Sequence, residues 1–245
     1  MKLSGIIDMV TTFGIDRTRE VDWGLDTLLA VMREHKVERA YTCSLRAVYY
    51  AGPQGNDETL RACEQHQVLR PVAVLDPRRF FDQQDEARRR FEQGCGVFRF
   101  FPGEQGWPLE FLPFVKICET LAELGARAIV PAAGYGEATR VAKLLGHLEL
   151  PVLLIGGSYV NIGELMAVLA DSDTMYCDAH MQDGPFALEG LMERGGEDRV
   201  IFGSNSPDRE FLAPLLMARH AEITDEQRRA YLRGNALAFL GEDAP

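Results

Sequence analysis

Eight times along this chain a short apolar run gives way to a longer amphipathic stretch, and that alternation limits the fold more than any other feature. The apolar runs span residues 3–10, 37–43, 69–75, 96–101, 126–131, 151–156, 174–179 and 199–203. Several, such as Ala128-Ile129-Val130 and Val152-Leu153-Leu154-Ile155, carry no polar residue at all. Strands buried on both faces look like this, which predicts a parallel sheet covered by helices. Between the runs lie stretches at the helical period, such as 25–32, 162–169 and 211–218. Asn56-Asp57-Glu58-Thr59 supplies cap chemistry for another helix. Eight strands, each followed by a helix, is the count of a closed (β/α)₈ barrel of the TIM type. A doubly wound open sheet is the rival, but Met9-Val10-Thr11-Thr12-Phe13-Gly14 after the first run is not a GxGxxG turn. No Pro/Gly/Ser linker divides the chain. One α/β domain over residues 1–245 is predicted, ending in a helical tail from about residue 225.

Charge and cysteine usage exclude other classes. The formal net charge is −11, so no basic face is available for nucleic acid. The dense basic run Arg88-Arg89-Arg90 sits among Asp82, Asp85, Glu86 and Glu92 and reads as a solvated helix face. No stretch approaches the roughly 18 apolar residues of a membrane span. The first residues meet Asp8 too soon to hold a signal-peptide core, and the five cysteines (43, 63, 95, 118 and 177) show no paired spacing. Reduced thiols in a cytoplasmic protein are the expectation.

In such a barrel the chemistry stands at the C-terminal ends of the strands. Ile6-Ile7-Asp8-Met9-Val10-Thr11-Thr12-Phe13-Gly14 ends the first run. Gly94-Cys95-Gly96-Val97-Phe98-Arg99-Phe100-Phe101-Pro102 forms the fourth, with Gly106-Trp107-Pro108-Leu109 after it. Asp198-Arg199-Val200-Ile201-Phe202-Gly203-Ser204-Asn205-Ser206-Pro207 forms the eighth, and Gly234-Asn235-Ala236 follows late in the chain. In this order the segments resemble the amidohydrolase superfamily, in particular its amidohydrolase-2-related branch.

That resemblance implies one or two divalent metals. Their ligands would be a His-x-His pair at the first strand, histidines after the fifth and sixth strands, and an aspartate after the eighth. Alternation along the strand puts the pair at Val10 and Thr12, in phase with Asp8. Neither is a histidine, and none stands near Pro131-Ala132-Ala133 or Ile155-Gly156-Gly157. The eighth-strand aspartate corresponds to Asn205. A hydrocarbon, a hydroxyl, glycine and an amide do not replace imidazole and carboxylate ligands. The reading therefore expects no metal and no cofactor.

Other residues remain at the strand ends. Asp178 and His180 share a phase after the seventh strand, where the aspartate could fix a tautomer and make His180 a general base. The plainer alternative for His180 is a loop histidine bonded to backbone. Arg99 stands in a hydrophobic run, where a guanidinium is costly to bury unpaired. It reads either as a clamp for a carboxylate or phosphate, or as the ion-pair partner of Asp8 or Asp178. Asn205, Asp8, Thr12 and Arg46 complete the candidate set, Arg46 reading more readily as a surface residue. Ser158 lacks a nucleophile elbow and reads as part of a strand-to-helix turn. Glu104, Gln105 and Trp107 lie where a lid would sit.

The first functional reading is metal-free binding of a small polar or carboxylate-bearing molecule. It extends to lactone or amide hydrolysis or proton transfer through His180, Asp178 and Asn205, or to a silent site. The second is a metal-dependent hydrolase or decarboxylase of the amidohydrolase-2 type with an atypical site. The third is a non-catalytic scaffold, which a mouth plugged by Phe101, Trp107 or Tyr135 would favour. The partners expected are a small-molecule ligand, no nucleic acid and no membrane. The resemblance leaves a homo-oligomer open.

Overall fold

The computed structural model describes residues 5–242. Leu3 and Ser4, the start of the first expected strand, lie outside them. The strands are β1 (Ile6–Asp16), β2 (Val21–Trp23), β3 (Val37–Ser44), β4 (Leu69–Val74), β5 (Val97–Arg99), β6 (Arg127–Pro131), β7 (Val152–Ile155), β8 (Met175–Asp178) and β9 (Val200–Ile201). They form one sheet in the order β2-β1-β3-β4-β5-β6-β7-β8-β9. All neighbours are parallel except β1 and β2, an antiparallel hairpin. The two ends of the parallel set meet. Met9 N–H donates to the Phe202 carbonyl at 3.1 Å, Asn205 N–H to Val10 at 2.8 Å and Thr12 N–H to Ser206 at 3.0 Å. Eight parallel strands thus form the (β/α)₈ barrel that the alternation predicted.

Strand alternation sorts the core into two layers. Ile7, Val72, Val74, Val97, Ile129, Leu153 and Ile201 fill the inside of the barrel. Their neighbours Ile6, Ala73, Phe98, Ala128, Val130, Val152 and Leu154 pack outward against the helices. Continuous apolar runs were legible as strands because both faces are covered. The tail is helical as expected, in three segments: Asp225–Arg229, a π-helical turn Ala230–Gly234 and Asn235–Leu240.

Three expectations change. β1 runs past Val10 to Asp16 and folds back as β2. Its register against β3 shifts between Asp8 and Thr11, so the strict alternation assumed from Asp8 through Val10 to Thr12 is broken there. The Arg88–Arg90 run is only partly a solvated face: Arg90 is fully buried. Its guanidinium donates to Glu86 and Asp57, both at 2.6 Å, and to the Pro53 carbonyl at 2.8 Å. The helix turns it toward the preceding helix, Gly52–Gln65, and partners satisfy its fork.

Candidate functional site

The barrel mouth holds two polar groups of different character. The first is built on β8 and the junction of β1 with β9. Asp8 is fully buried, and its carboxylate accepts from the backbone N–H of Val10 (3.1 Å) and Ser204 (3.0 Å) and from the Ser204 hydroxyl (2.5 Å). Burial pushes its pKa up to about 6, while the bonds from Ser204 and Val10 and nearby His180 oppose that shift. Asp178, also fully buried, accepts from Gly156 N–H at 3.1 Å and pairs with His180 Nδ1. The space is tight. A Cβ on Gly203 would stand 2.7 Å from Val10 Cγ2 and 3.3 Å from Asp178 Oδ2, so only glycine lets β9 pass. The predicted Asp178–His180 partnership is present, and the His180 side chain is 5% exposed.

The second group surrounds a cavity of about 190 Å³. Its walls come from the ends of β1 and β5 (Thr12, Arg99, Phe101), the loop after β9 (Asn205, Asp208) and the β1–β2 hairpin (Asp16, Thr18, Arg19, Trp23). Arg99 is buried, at 6% exposure. Its guanidinium lies 4.7 Å over the Phe101 ring, and Nη2 makes only a long bond of 3.4 Å to Asn205 Oδ1. Nε and Nη1 have no partner among the described residues. The alternative ion pair with Asp8 or Asp178 does not form, because those carboxylates are satisfied elsewhere. Arg99 also lies beside the Cys43 thiol; burial still raises that thiol to about 11, so it is no nucleophile at neutral pH. Asn205 holds a left-handed backbone (φ 56°) and donates to Asp208 at 3.0 Å. Asp208 also pairs with Arg19, which ties the hairpin across the mouth.

Among the sequence-predicted residues, Arg99, Asn205 and Thr12 come together in this cavity, while Asp8, Asp178 and His180 form the neighbouring buried cluster. Arg46 joins neither. It sits on a short helix, Leu45–Tyr49, that carries it to a separate cleft of about 680 Å³ with Glu58 and Arg61. Trp107 is no lid; it packs against Phe100 and Phe114, outside the barrel wall. Tyr135 is exposed and plugs nothing. Ser158 N–H donates to Asn161 Oδ1 (3.0 Å) in a strand-to-helix turn, as read from the sequence. Sequence reasoning missed Trp23, Arg19, Asp208 and Ser204. Trp23 gives no periodic signal, and the partners of the others lie almost the whole chain away.

The metal site that the resemblance implies can be tested on this donor set. At the implied pair, Val10 packs in the apolar interior and Thr12 offers one hydroxyl. The implied carboxylate position holds the Asn205 amide, which is already bonded to Asp208 and Arg99. Among the described residues no three His, Cys, Asp or Glu side chains are grouped to hold a metal ion. Val10, Thr12 and Asn205, at positions the resemblance implies, thus supply a hydrocarbon, one hydroxyl and one amide, and no imidazole or carboxylate.

No curated protein matches the chain in sequence. Solved structures share its fold across nearly the whole length. A 2,6-dihydroxybenzoate decarboxylase from Rhizobium aligns with TM-score 0.75 at 13% identity, covering 98% of this chain and 99% of the other. A dihydroxybenzoic acid decarboxylase from Polaromonas, with bound manganese and 2-nitroresorcinol, gives 0.74 at 14%, covering 98% and 97%. A probable 2-pyrone-4,6-dicarboxylic acid hydrolase from Acinetobacter baumannii, with citric acid bound, gives 0.73 at 14%, covering 97% and 99%. The amidohydrolase family model itself matches residues 21–241. The chain belongs to the amidohydrolase family, in its amidohydrolase-2 branch.

Proposed function

We propose that this barrel binds a small carboxylate-bearing molecule without a metal, and that any chemistry it performs is acid–base. One observation carries the reading: a buried guanidinium whose Nε and Nη1 have no partner among the described residues, in the wall of a cavity at the barrel mouth. A buried charge without partners costs several kcal/mol, and an incoming carboxylate supplies what is missing through a planar, two-pronged pair. The cavity has the volume of about six waters, which suits a molecule of a few carbons. Asp16, Glu104 and Asp208 also line it; Asp16 and Asp208 already accept hydrogen bonds from neighbours, so Glu104 is the carboxylate a ligand would have to avoid. All three structural neighbours described above hold carboxylic acids or act on them by name, which agrees with the reading.

The acid–base step would fall to His180, which belongs to the neighbouring cluster and not to the wall of the Arg99 cavity. Asp178 holds its Nδ1–H, leaving Nε2 to take a proton from water as the water oxygen adds to a lactone or amide carbonyl. Asp178 stabilises the resulting imidazolium, and the same proton passes to the leaving oxygen or nitrogen. Binding is tested by calorimetry with malonate, succinate and glutarate. Arg99→Gln should weaken it by tenfold to a hundredfold, the usual worth of hydrogen bonds to a charge. Unchanged affinity in that variant would remove the reading.

The second reading, a metal-dependent hydrolase or decarboxylase, is favoured by the manganese in a neighbour of the same fold. Inductively coupled plasma mass spectrometry separates the two. The test uses protein purified without chelator or histidine tag and then offered zinc, manganese and iron. Below a tenth of an equivalent under all conditions supports the metal-free reading; near-stoichiometric metal overturns it.

A further inference from the structure

Arg99 is not the sole unspent donor in the mouth cavity. The Trp23 indole Nε1 is buried with no hydrogen-bond partner among the described residues, and Trp23 walls the same space. An indole N–H can only donate, and native folds rarely leave such a group buried and unmet. Trp23 comes from a different part of the chain than Arg99: it ends β2, registered opposite Gly14 on the return of the hairpin. The hairpin is fixed over the mouth at both flanks. Arg19 pairs with Asp208 on the β9 side, and Asp16 accepts the Tyr49 hydroxyl at 3.2 Å on the β3 side. That frame holds the indole in the cavity wall without giving its N–H an acceptor.

We infer that Trp23 is a ligand-binding residue whose indole N–H selects molecules with an acceptor oxygen additional to the carboxylate held by Arg99. The inference rests on the carboxylate reading of this cavity and adds a selectivity to it. A dicarboxylate satisfies both sets of donors. A monocarboxylate satisfies Arg99 and leaves the indole N–H unmet, the situation in which a site discriminates most strongly. The hairpin is then part of the binding site, not merely an edge strand covering the barrel.

The chain has two tryptophans, so its indole region in a ¹H–¹⁵N correlation spectrum contains two resonances. The other is an internal reference, since Trp107 Nε1 already donates to Gln105 Oε1 at 2.9 Å. The full chain is titrated with malonate, succinate and glutarate, and with propanoate, butanoate and pentanoate as single-acceptor controls. The tightest dicarboxylate should move the Trp23 resonance downfield with saturation while Trp107 stays in place. It should also bind at least tenfold more tightly than any of the three controls. Trp23→Phe keeps the ring and loses the donor; it should erase that preference and leave monocarboxylate affinity within twofold.

Acids that bind in an Arg99-dependent way without moving the Trp23 resonance would overturn the inference and leave the carboxylate reading intact. Binding of no acid, or binding indifferent to Arg99→Gln, would overturn both. Arg19→Gln, which loosens the hairpin without touching the indole, guards against a misfolded Trp23→Phe: it should retain the dicarboxylate-dependent shift at reduced affinity, and loss of preference without such a shift counts against Trp23.

Discussion

Two polar groups at the barrel mouth make opposite use of the same buried environment. Around Asp8, Asp178 and His180 the carboxylates are met by donors: backbone N–H groups, the Ser204 hydroxyl and the imidazole. Around Arg99 and Trp23, three donor nitrogens have no partner among the described residues. A satisfied buried network stabilises and fixes geometry, whereas an unsatisfied one destabilises the free protein and is relieved by a ligand. Removing a side chain should therefore lower stability in the first group and raise it in the second.

The largest effect belongs to Asp178→Ala. It strips the Gly156 N–H and His180 of their partner inside the barrel, and a broken buried pair costs about 3–5 kcal/mol. Urea denaturation at pH 7 measures it. A loss below 1 kcal/mol would mean that the network is not the structural half of the comparison.

Asp8 supplies a pH test of the same half. Its folded pKa, about 6, lies above the ordinary value of 3.8 because burial outweighs the three hydrogen bonds. Between those values the folded chain binds more protons at this site than the unfolded chain does. The Asp8 contribution is thus fully present below about pH 4 and declines as pH rises through 6. A pKa raised that far corresponds to about 3 kcal/mol. Relative to Asp8→Asn, wild-type stability should fall by about that amount from pH 4 to pH 7. A rise over that interval would show that the three hydrogen bonds dominate instead.

What could be read from the sequence follows the same division. The eight strands were legible because each is an apolar run covered on both faces, a local property of consecutive residues. Arg99 was legible because a charge inside such a run needs a reason. Arg46 is exposed, in keeping with its surface reading, because a five-residue helix begins at Leu45 as soon as β3 ends and carries the side chain out of the mouth. Arg90 was misread because its acceptors Asp57 and Pro53 stand on another helix. The hairpin was missed altogether: β2 is three residues long, and the ion pair that anchors its turn joins positions 19 and 208. Nothing in a local window reports a contact of that separation.

In the unsatisfied half the sign reverses. Arg99→Met retains much of the apolar volume over Phe101 and removes a charge with two unmet N–H groups, so it should stabilise the free protein by about 1–3 kcal/mol. The same variant should lose its response to carboxylates. Thermal unfolding with and without 10 mM succinate reads both properties at once. A destabilised Arg99→Met would place Arg99 with the structural network instead of the ligand site.

The smallest effect concerns the strap between the halves. Arg19 is half exposed, and an ion pair of that kind contributes about 0–1 kcal/mol to stability. Arg19→Ala should therefore leave the unfolding midpoint nearly unchanged. Its consequence should be kinetic: with the hairpin no longer tied to Asp208, a ligand reaches the cavity sooner and also leaves sooner. Stopped-flow Trp fluorescence with succinate should show both rate constants rising, the dissociation rate more than the association rate, because the freed hairpin also carries Trp23 away from its acceptor. A faster association with unchanged dissociation would assign the hairpin a gating role alone. Equal stability loss in Arg19→Ala and Asp178→Ala would erase the distinction between the two halves of the mouth.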